Sequence, residues 1–347
     1  MKMRWLVLAA VVSLAAGSVS RALDSVKTTK NTLLGRILGM SPVQVELEQS
    51  SGGATKEIEI PVNQIQALFY EDDPVELKTA KTHVLGGRYA DALAALERIR
   101  GDVGRREIEQ DIDFYKALCT AKLAIGGSGK IAEAGRMMKA FADANSKSYH
   151  YFEASEIVGD LLVAVRQYAQ AAEYYGRLDR APWPDYKMRA GVATGRALLA
   201  QRKIDEATAA FDKVIATEAE GELAQGQRAF AKLGKASALV ASKKPDEAIK
   251  MVEDILKKVD AEDAPLWARA YNVLGTAHRQ AGRTKEALLA FLRVDVLYWS
   301  VPDAHAEALA NLADLWEQVH QTERANRARK TLEEEYRDSP WSKKGGK

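Results

Sequence analysis

The sequence predicts a mainly α-helical protein, an α-solenoid of about seven helix–turn–helix repeats preceded by a small β module. One observation is composition, which is rich in alanine and includes only 9 prolines, and so favours helix. The other is an alanine that recurs at intervals of 36 to 42 residues. A small residue lies twelve positions before most of these alanines, and apolar residues follow most of them at four and seven positions, as on one helical face. The alanines are Ala92, Ala134, Ala171, Ala207, Ala248, Ala287 and Ala325.

The sixth repeat, at 271–294, shows the pattern most completely. Its first helix carries a stripe of apolar and small residues around Gly275, Gly282 ends that helix, and Ala287 opens the stripe of the second helix. Because Gly275 and Ala287 lack bulk, two antiparallel helices can approach closely there. This order of residues resembles the tetratricopeptide repeat (TPR). The resemblance implies helix pairs stacked into a superhelix whose first helices line a concave, peptide- or protein-binding face.

Charge and cysteine content narrow the possible functions. The chain holds 50 basic and 48 acidic residues, a net charge of +2, which gives no support for nucleic acid binding. Its single cysteine, Cys119, cannot form an internal disulfide or a thiolate cluster, and its apolar helical face predicts a buried, inert thiol. The glycine-rich stretch 126–130 lacks the strand and the hydroxyl residue of a phosphate loop, so we interpret it as an inter-helix turn. No catalytic, cofactor or metal site is predicted.

Residues 1–22 have the pattern of a secretory signal peptide. A basic start precedes an apolar run of twelve residues, and Ser20 and Ala22 fit the small-residue cleavage pattern. The run is too short for a comfortable membrane span. We therefore expect an exported protein, periplasmic or secreted. The alternative is an uncleaved segment that anchors the protein in the inner membrane, the one case in which membrane contact is expected.

Residues 23–72 alternate or cluster apolar residues as strands do, with Gly52-Gly53 as a hairpin turn. The pattern resembles SH3-like and Sm-like small β barrels, and the alternative is a β cap that covers one end of the helical array. After this module, Asp73 is expected to cap the first helix with Pro74 at its first position. The repeats are predicted at 74–341, and 342–347 is predicted to be a flexible tail.

These features predict a non-catalytic protein–protein interaction scaffold of the bacterial cell envelope, which binds a protein or peptide in the groove of its repeats. The alternatives are a structural or oligomerising spacer and a membrane-tethered envelope assembly factor; an enzyme is disfavoured. The helical register predicts an acidic zone at Glu156 and Asp160, a basic zone at Arg196 and Arg279, and a second acidic zone at Asp314 and Glu317, with Asn272 and Thr276 also facing the groove.

Overall fold

The computed structural model describes residues 23–51, 54–259 and 263–342. The predicted signal peptide at 1–22 lies outside the described residues, as do the predicted hairpin turn at Gly52-Gly53 and residues 343–347 of the predicted tail. Within the described residues, Ser342 is hydrogen-bonded, since its hydroxyl donates to the carbonyl oxygen of Tyr336 at 2.8 Å.

A five-stranded antiparallel sheet forms the N-terminal module, as predicted. The strand order is β4-β3-β2-β1-β5, so β4 and β5 are the two edges, with no ladder between them in the described residues. A short 3-10 helix, Val62–Gln64, connects the two edge strands. The strands are Asp24–Thr28 (β1), Thr32–Met40 (β2), Gln44–Ser51 (β3), Ala54–Pro61 (β4) and Ile65–Phe69 (β5).

The inner face of the sheet is buried against the first repeats. Val26, Val45, Leu47 and Leu68 are fully buried, and they belong to the same apolar cluster as residues of the first three helix pairs. Alternation along the strands explains this, because successive side chains of a strand point to opposite faces. The sheet therefore covers the N-terminal end of the helical array.

Fourteen helices in the described residues form seven antiparallel pairs, which confirms the predicted repeats. Each pair is one repeat, numbered 1 to 7 along the chain. The pairs are Val75–Leu85 (α1) with Tyr89–Leu96 (α2), Arg106–Gly126 (α3) with Ile131–Ala144 (α4), Tyr151–Ala164 (α5) with Tyr168–Arg177 (α6), Pro184–Ala200 (α7) with Ile204–Ile215 (α8), Glu222–Ala241 (α9) with Pro245–Leu256 (α10), Ala264–Gln280 (α11) with Thr284–Leu297 (α12), and Pro302–Gln318 (α13) with Thr322–Glu335 (α14).

Steric fit at the recurring small residues sets the register of the pairs. All seven recurring alanines are fully buried. In three repeats an aromatic ring four residues after the alanine packs directly on the glycine of the first helix. A Cβ atom on Gly275 would lie 2.6 Å from the ring of Phe291, and one on Gly195 would lie 2.4 Å from the ring of Phe211. Only glycine leaves room for these rings.

Every turn between paired helices contains one residue with positive φ. These residues are Gly87, Gly127, Arg166, Arg202, Lys243, Gly282 and His320. The left-handed conformation ends the first helix and reverses the chain, and it costs a residue with a Cβ atom roughly 1–2 kcal/mol. Glycine removes that cost in three of the seven turns, and Gly282 ends its helix as the sequence predicts.

The superhelix curves until its two ends meet. Helix α3 of repeat 2 packs against α13 of repeat 7. A Cβ atom on Gly126 would lie 2.4 Å from Pro302, and one on Gly87 would lie 3.3 Å from the carbonyl oxygen of Ser300. The seven repeats therefore form a closed ring in which the first helices line the interior.

Substitution of Gly275 tests the steric register. Gly275→Leu should lower the free energy of unfolding by about 1–3 kcal/mol, because its side chain would overlap the ring of Phe291. Gly135→Leu on α4 is the matched control, because a Cβ atom there meets nothing within 4 Å. Urea titrations would measure both proteins, and equal stability of the two variants would contradict the register.

Candidate functional site

The closed ring borders a partly open cavity of about 680 Å³, called the chamber here. Its wall comes from the turn between α1 and α2 and from helices α3, α5, α7, α11 and α13. The charged side chains in this wall are Lys122, Asp160, Arg196, Arg269 and Asp303. Repeats far apart in the sequence thus supply one mixed polar surface.

Two arginine–aspartate pairs in the chamber link the first helices of neighbouring repeats. The guanidinium of Arg196 on α7 lies 3.0 Å from the carboxylate of Asp160 on α5. The guanidinium of Arg269 on α11 lies 2.9 Å from the carboxylate of Asp303 on α13. The hydroxyl of Tyr175 also donates to Asp160, at 2.8 Å. These bonds fix the rotamers of the charged groups that a ligand would meet.

The surroundings of the chamber favour the charged forms of Asp303 and Arg196. Burial alone would raise the pKa of Asp303, but Arg269, Lys122 and Arg196 together hold that pKa below its usual value. The Asp160 carboxylate raises the pKa of Arg196, and burial opposes this only in part. Lys122 contributes a further positive charge to the chamber wall, and its ammonium is one of the groups that lower the pKa of Asp303.

The predicted groove residues lie on the inner helices, but as ion pairs instead of separate zones. Asp160 pairs with Arg196 as described, and Glu156 pairs with the guanidinium of Arg189. Arg279 binds the carboxylate of Asp314 at 3.1 Å, and it also donates to the side-chain oxygen of Asn311 at 2.9 Å. The predicted acidic and basic residues face each other because adjacent repeats bring the same register positions side by side.

Three further predicted residues have local partners. Glu317 accepts from Arg329 on α14, at 3.1 Å. Asn272 is 2% exposed, and its amide donates to the carbonyl oxygen of Ala304 at 2.8 Å, so it joins α11 to α13. The hydroxyl of Thr276 donates to the carbonyl oxygen of Asn272 at 2.9 Å. The role of the eight predicted residues in partner binding stays a prediction.

Four charged residues of the inner surface were not found from the sequence: Lys122, Arg189, Arg269 and Asp303. A signal existed for two of them. Arg189 and Arg269 each lie six residues before the small packing residue of their helix, Gly195 and Gly275. That position is about one helical turn beyond the register positions considered. Lys122 and Asp303 meet only because the ring closes.

A second charged cluster is buried beneath the β module. The ammonium of Lys81 on α1 is fully buried and lies 2.7 Å from the carboxylates of both Asp73 and Asp111. Asp73, expected to cap α1, instead accepts from Lys81 and from the backbone N–H of Tyr70 at 3.0 Å. Burial of the carboxylate outweighs these bonds in its pKa, which is raised. The Asp73 carboxylate therefore stabilises the contact between the chain after β5 and α1, instead of capping the helix.

Asp111 extends the buried cluster to repeat 3. Its carboxylate lies 3.2 Å from Nε2 of His150, which precedes α5. Burial acts to raise the pKa of Asp111, but Lys81 and His150 outweigh burial and lower it. His150 also stacks on Phe114, with ring centroids 3.5 Å apart. The cluster thus joins the end of the sheet to α1, α3 and α5.

Among the described residues, none of the helices combines the length and apolar character that a membrane span needs. Within 23–51, 54–259 and 263–342, no group of three or more histidine, cysteine or acidic side chains is arranged to hold a metal ion. Cys119 is fully buried, and burial raises the pKa of its thiol to about 12. This position agrees with the buried thiol that the sequence predicts.

The ring of helix hairpins with an inner polar wall defines a superhelical repeat scaffold. Residues 233–302, in repeats 5 and 6, match the family model of the tetratricopeptide repeat. The seven helix pairs form a solenoid of the tetratricopeptide-repeat type, as the sequence resemblance implies. A comparison with curated protein sequences found no match.

Similar solved structures have the same kind of helical array. A Rap protein complexed with Competence and Sporulation Factor is 12% identical, with 76% of this chain and 74% of that chain covered and a TM-score of 0.53. The apo quorum sensor NprR from B. thuringiensis is 12% identical, with 75% of each chain covered and a TM-score of 0.51. A tetratricopeptide repeat protein from Parabacteroides merdae ATCC 43184 matches at 14% identity, 75% and 91% coverage, and a TM-score of 0.45. At such low sequence identity, the similarity shows the fold alone.

Removal of the buried lysine charge should strongly destabilise the protein. Lys81→Met leaves two carboxylates without their cation, so the free energy of unfolding should fall by about 3–5 kcal/mol. Lys78→Met is the control, because Lys78 is only partly buried and donates to a single carbonyl oxygen. Chemical denaturation would measure both.

Neutral carboxyl replacements test the same explanation. Adding Asp73→Asn and Asp111→Asn to Lys81→Met should recover part of the lost stability, because no buried charge is then unpaired. A triple variant less stable than Lys81→Met alone would show that the lysine acts through packing and not through its charge.

Proposed function

We propose that this protein is a non-catalytic interaction scaffold that binds a peptide or a protein segment inside its ring. The observation that carries the proposal is the chamber, where Lys122 and two held arginine–aspartate pairs meet. Its volume of about 680 Å³ lies within the range of about 300–1,000 Å³ that is usual for ligand pockets. Fixed charges of both signs suit the backbone and polar side chains of a peptide.

The comparisons support a binding role at the level of fold. The Rap structure similar to this chain holds a bound factor, Competence and Sporulation Factor, and NprR is described as a quorum sensor. A helical array of this kind can therefore carry a bound partner. We extend the idea of a bound partner to this chain as part of the proposal, without extending the identity of the partner.

A structural spacer is the second candidate function. Closure of the ring favours it, because repeat 7 already contacts repeat 2 of the same chain. The content of the chamber argues against it. A spacer gains stability from apolar filling of its interior, whereas the chamber wall contains Lys122, Asp160, Arg196, Arg269 and Asp303. Charged groups that remain partly exposed in a cavity contribute little to stability, so their presence is better explained by binding.

The proposal places the protein in the bacterial cell envelope. Its support is the signal-peptide pattern at 1–22, with a basic start, an apolar run and small residues before Leu23. An exported scaffold would meet periplasmic, outer-membrane or cell-wall partners. Retention of the segment would instead tether the ring to the inner membrane, which is the alternative of a membrane-tethered assembly factor.

Charge reversal on the inner surface tests the binding proposal. Arg196→Glu combined with Arg279→Glu should abolish capture of the partner in cross-linking pulldowns from the native envelope. Both arginines are 41% exposed, and each such pair contributes about 0.2–1 kcal/mol, so the melting temperature should change little.

Arg283→Glu provides the matched control for this experiment. Arg283 pairs with Asp246 at a similar exposure, 39%, but it precedes α12, a second helix outside the inner wall. The control should retain full capture. Equal capture by the folded double variant and by the control would move the binding surface away from the inner helices.

Export can be tested separately. Fractionation of the native cells, followed by N-terminal sequencing, should find a mature chain that begins at or near Leu23 in a soluble exported fraction. A chain that begins at Met1 and is recovered with membranes would support the anchored alternative.

A further inference from the structure

The C-terminal segment, defined here as residues 335–342, bridges the two ends of the ring. The backbone N–H of Asp338 donates to the carbonyl oxygen of Gly127 at 2.8 Å. The hydroxyl of Ser128 donates to the carbonyl oxygen of Glu335, and Ser339 is 1% exposed. Residues more than 200 positions apart in the sequence thus form one contact between the turn that follows α3 and the end of the chain.

The turn after α3 fits closely against this segment and the start of α13. A Cβ atom on Gly127 would lie 2.3 Å from the Cβ atom of Ser339, and one on Gly126 would lie 2.4 Å from the Cβ atom of Pro302. The positive φ of Gly127 accounts for one glycine. It does not account for Gly126, which is still helical. Close approach of the C-terminal repeat is the reason that Gly126 also lacks a side chain.

The segment is firmly held by its own repeat. The hydroxyl of Tyr336 and Nδ1 of His305 on α13 are 2.7 Å apart, and Nε2 of His305 is 2.9 Å from the carboxylate of Asp295. Both Tyr336 and His305 are buried. The segment is therefore an integral part of repeat 7, and its contact with Gly127 and Ser128 adds to the packing of α13 on α3 where the ring closes.

The apolar core is divided between the two sides of this contact. One large cluster unites the β module with repeats 1 to 3, and another unites repeats 5 to 7. The closing contact lies between these clusters and merges neither of them. Repeat 4 connects the two clusters, because its Arg189 and Arg196 pair with repeat 3 and the ring of its Phe211 packs on Gly234 of repeat 5.

We propose that the C-terminal segment is a releasable clasp, which closes the ring by docking on the turn at 126–128 and thereby assembles the chamber. Lys122, Asp160 and Arg196 belong to repeats 2 to 4, whereas Arg269 and Asp303 belong to repeats 6 and 7. Release of the clasp separates the two halves of the wall and admits a ligand. A ligand that contacts both halves favours closure by its differential affinity for the closed state.

Distance measurement between the two ends tests the clasp in the full chain. Spin labels at Arg136→Cys on α4 and Lys330→Cys on α14, in a Cys119→Ala background, should give a short distance when the clasp is docked. Gly126→Leu should shift the distribution to longer distances, because its side chain overlaps Pro302, which begins α13 of the same repeat that carries the clasp. Gly176→Leu near the end of α6 is the control, since a Cβ atom there meets nothing within 4 Å.

A second pair of variants guards against loss of folding. Gly127→Ala and Gly282→Ala place a Cβ atom at similar positive φ values, +97° and +74°, but only Gly127 faces Ser339. Circular dichroism would confirm that both fold. Longer distances in Gly127→Ala alone support the clasp, whereas unchanged distances, or equal shifts in Gly282→Ala, overturn it. The role of the clasp in ligand entry rests on the proposed function, but these distances do not, so the two can fail separately.

Discussion

The buried ammonium of Lys81 is the interaction on which the arrangement of the first repeats depends. It lies 2.7 Å from the carboxylates of both Asp73 and Asp111. Removing such ions from water costs several kcal/mol each, and the cost is offset only when all partners are in place. The chain after β5, α1 and α3 must therefore assemble together. Since α3 ends at Gly126, the same cluster positions the turn on which the ring closes.

Aromatic rings enclose this cluster and explain why the β module is an integral part of the array. The Lys81 ammonium lies 5.1 Å from the ring centroid of Tyr70 and 5.9 Å from that of Tyr115, one ring from the end of the sheet and one from α3. Cation–π attraction and exclusion of water both strengthen the ion pairs in such surroundings. A sheet without this connection would only cover the end of the solenoid, whereas here it also orients the first three repeats.

Steric contacts within one repeat could be predicted from the sequence, whereas contacts between distant repeats could not. The repeat register follows from Gly275 and Ala287 because a missing side chain permits close helix approach within one repeat. Ring closure depends on small rotations accumulated over seven repeats, which no single spacing records. Gly126 and Gly127 illustrate the difference: the sequence indicates a turn, but the second reason for glycine, the approach of Pro302 and Ser339, appears only in three dimensions. The pairing of the predicted groove charges was missed for the same reason.

The distribution of strong and weak contacts separates a firm core from an adaptable inner surface. The N-terminal side is held by a buried charge cluster and a continuous apolar core. The inner surface of the ring carries partly exposed ion pairs, such as Arg269 with Asp303, and the clasp is held to the turn at 126–128 by a few hydrogen bonds. Exposed pairs contribute at most about 1 kcal/mol each, so a ligand that replaces or bridges them needs little energy to reshape the chamber. A scaffold can thus keep its fold while the spacing of its inner charges adjusts to what it binds.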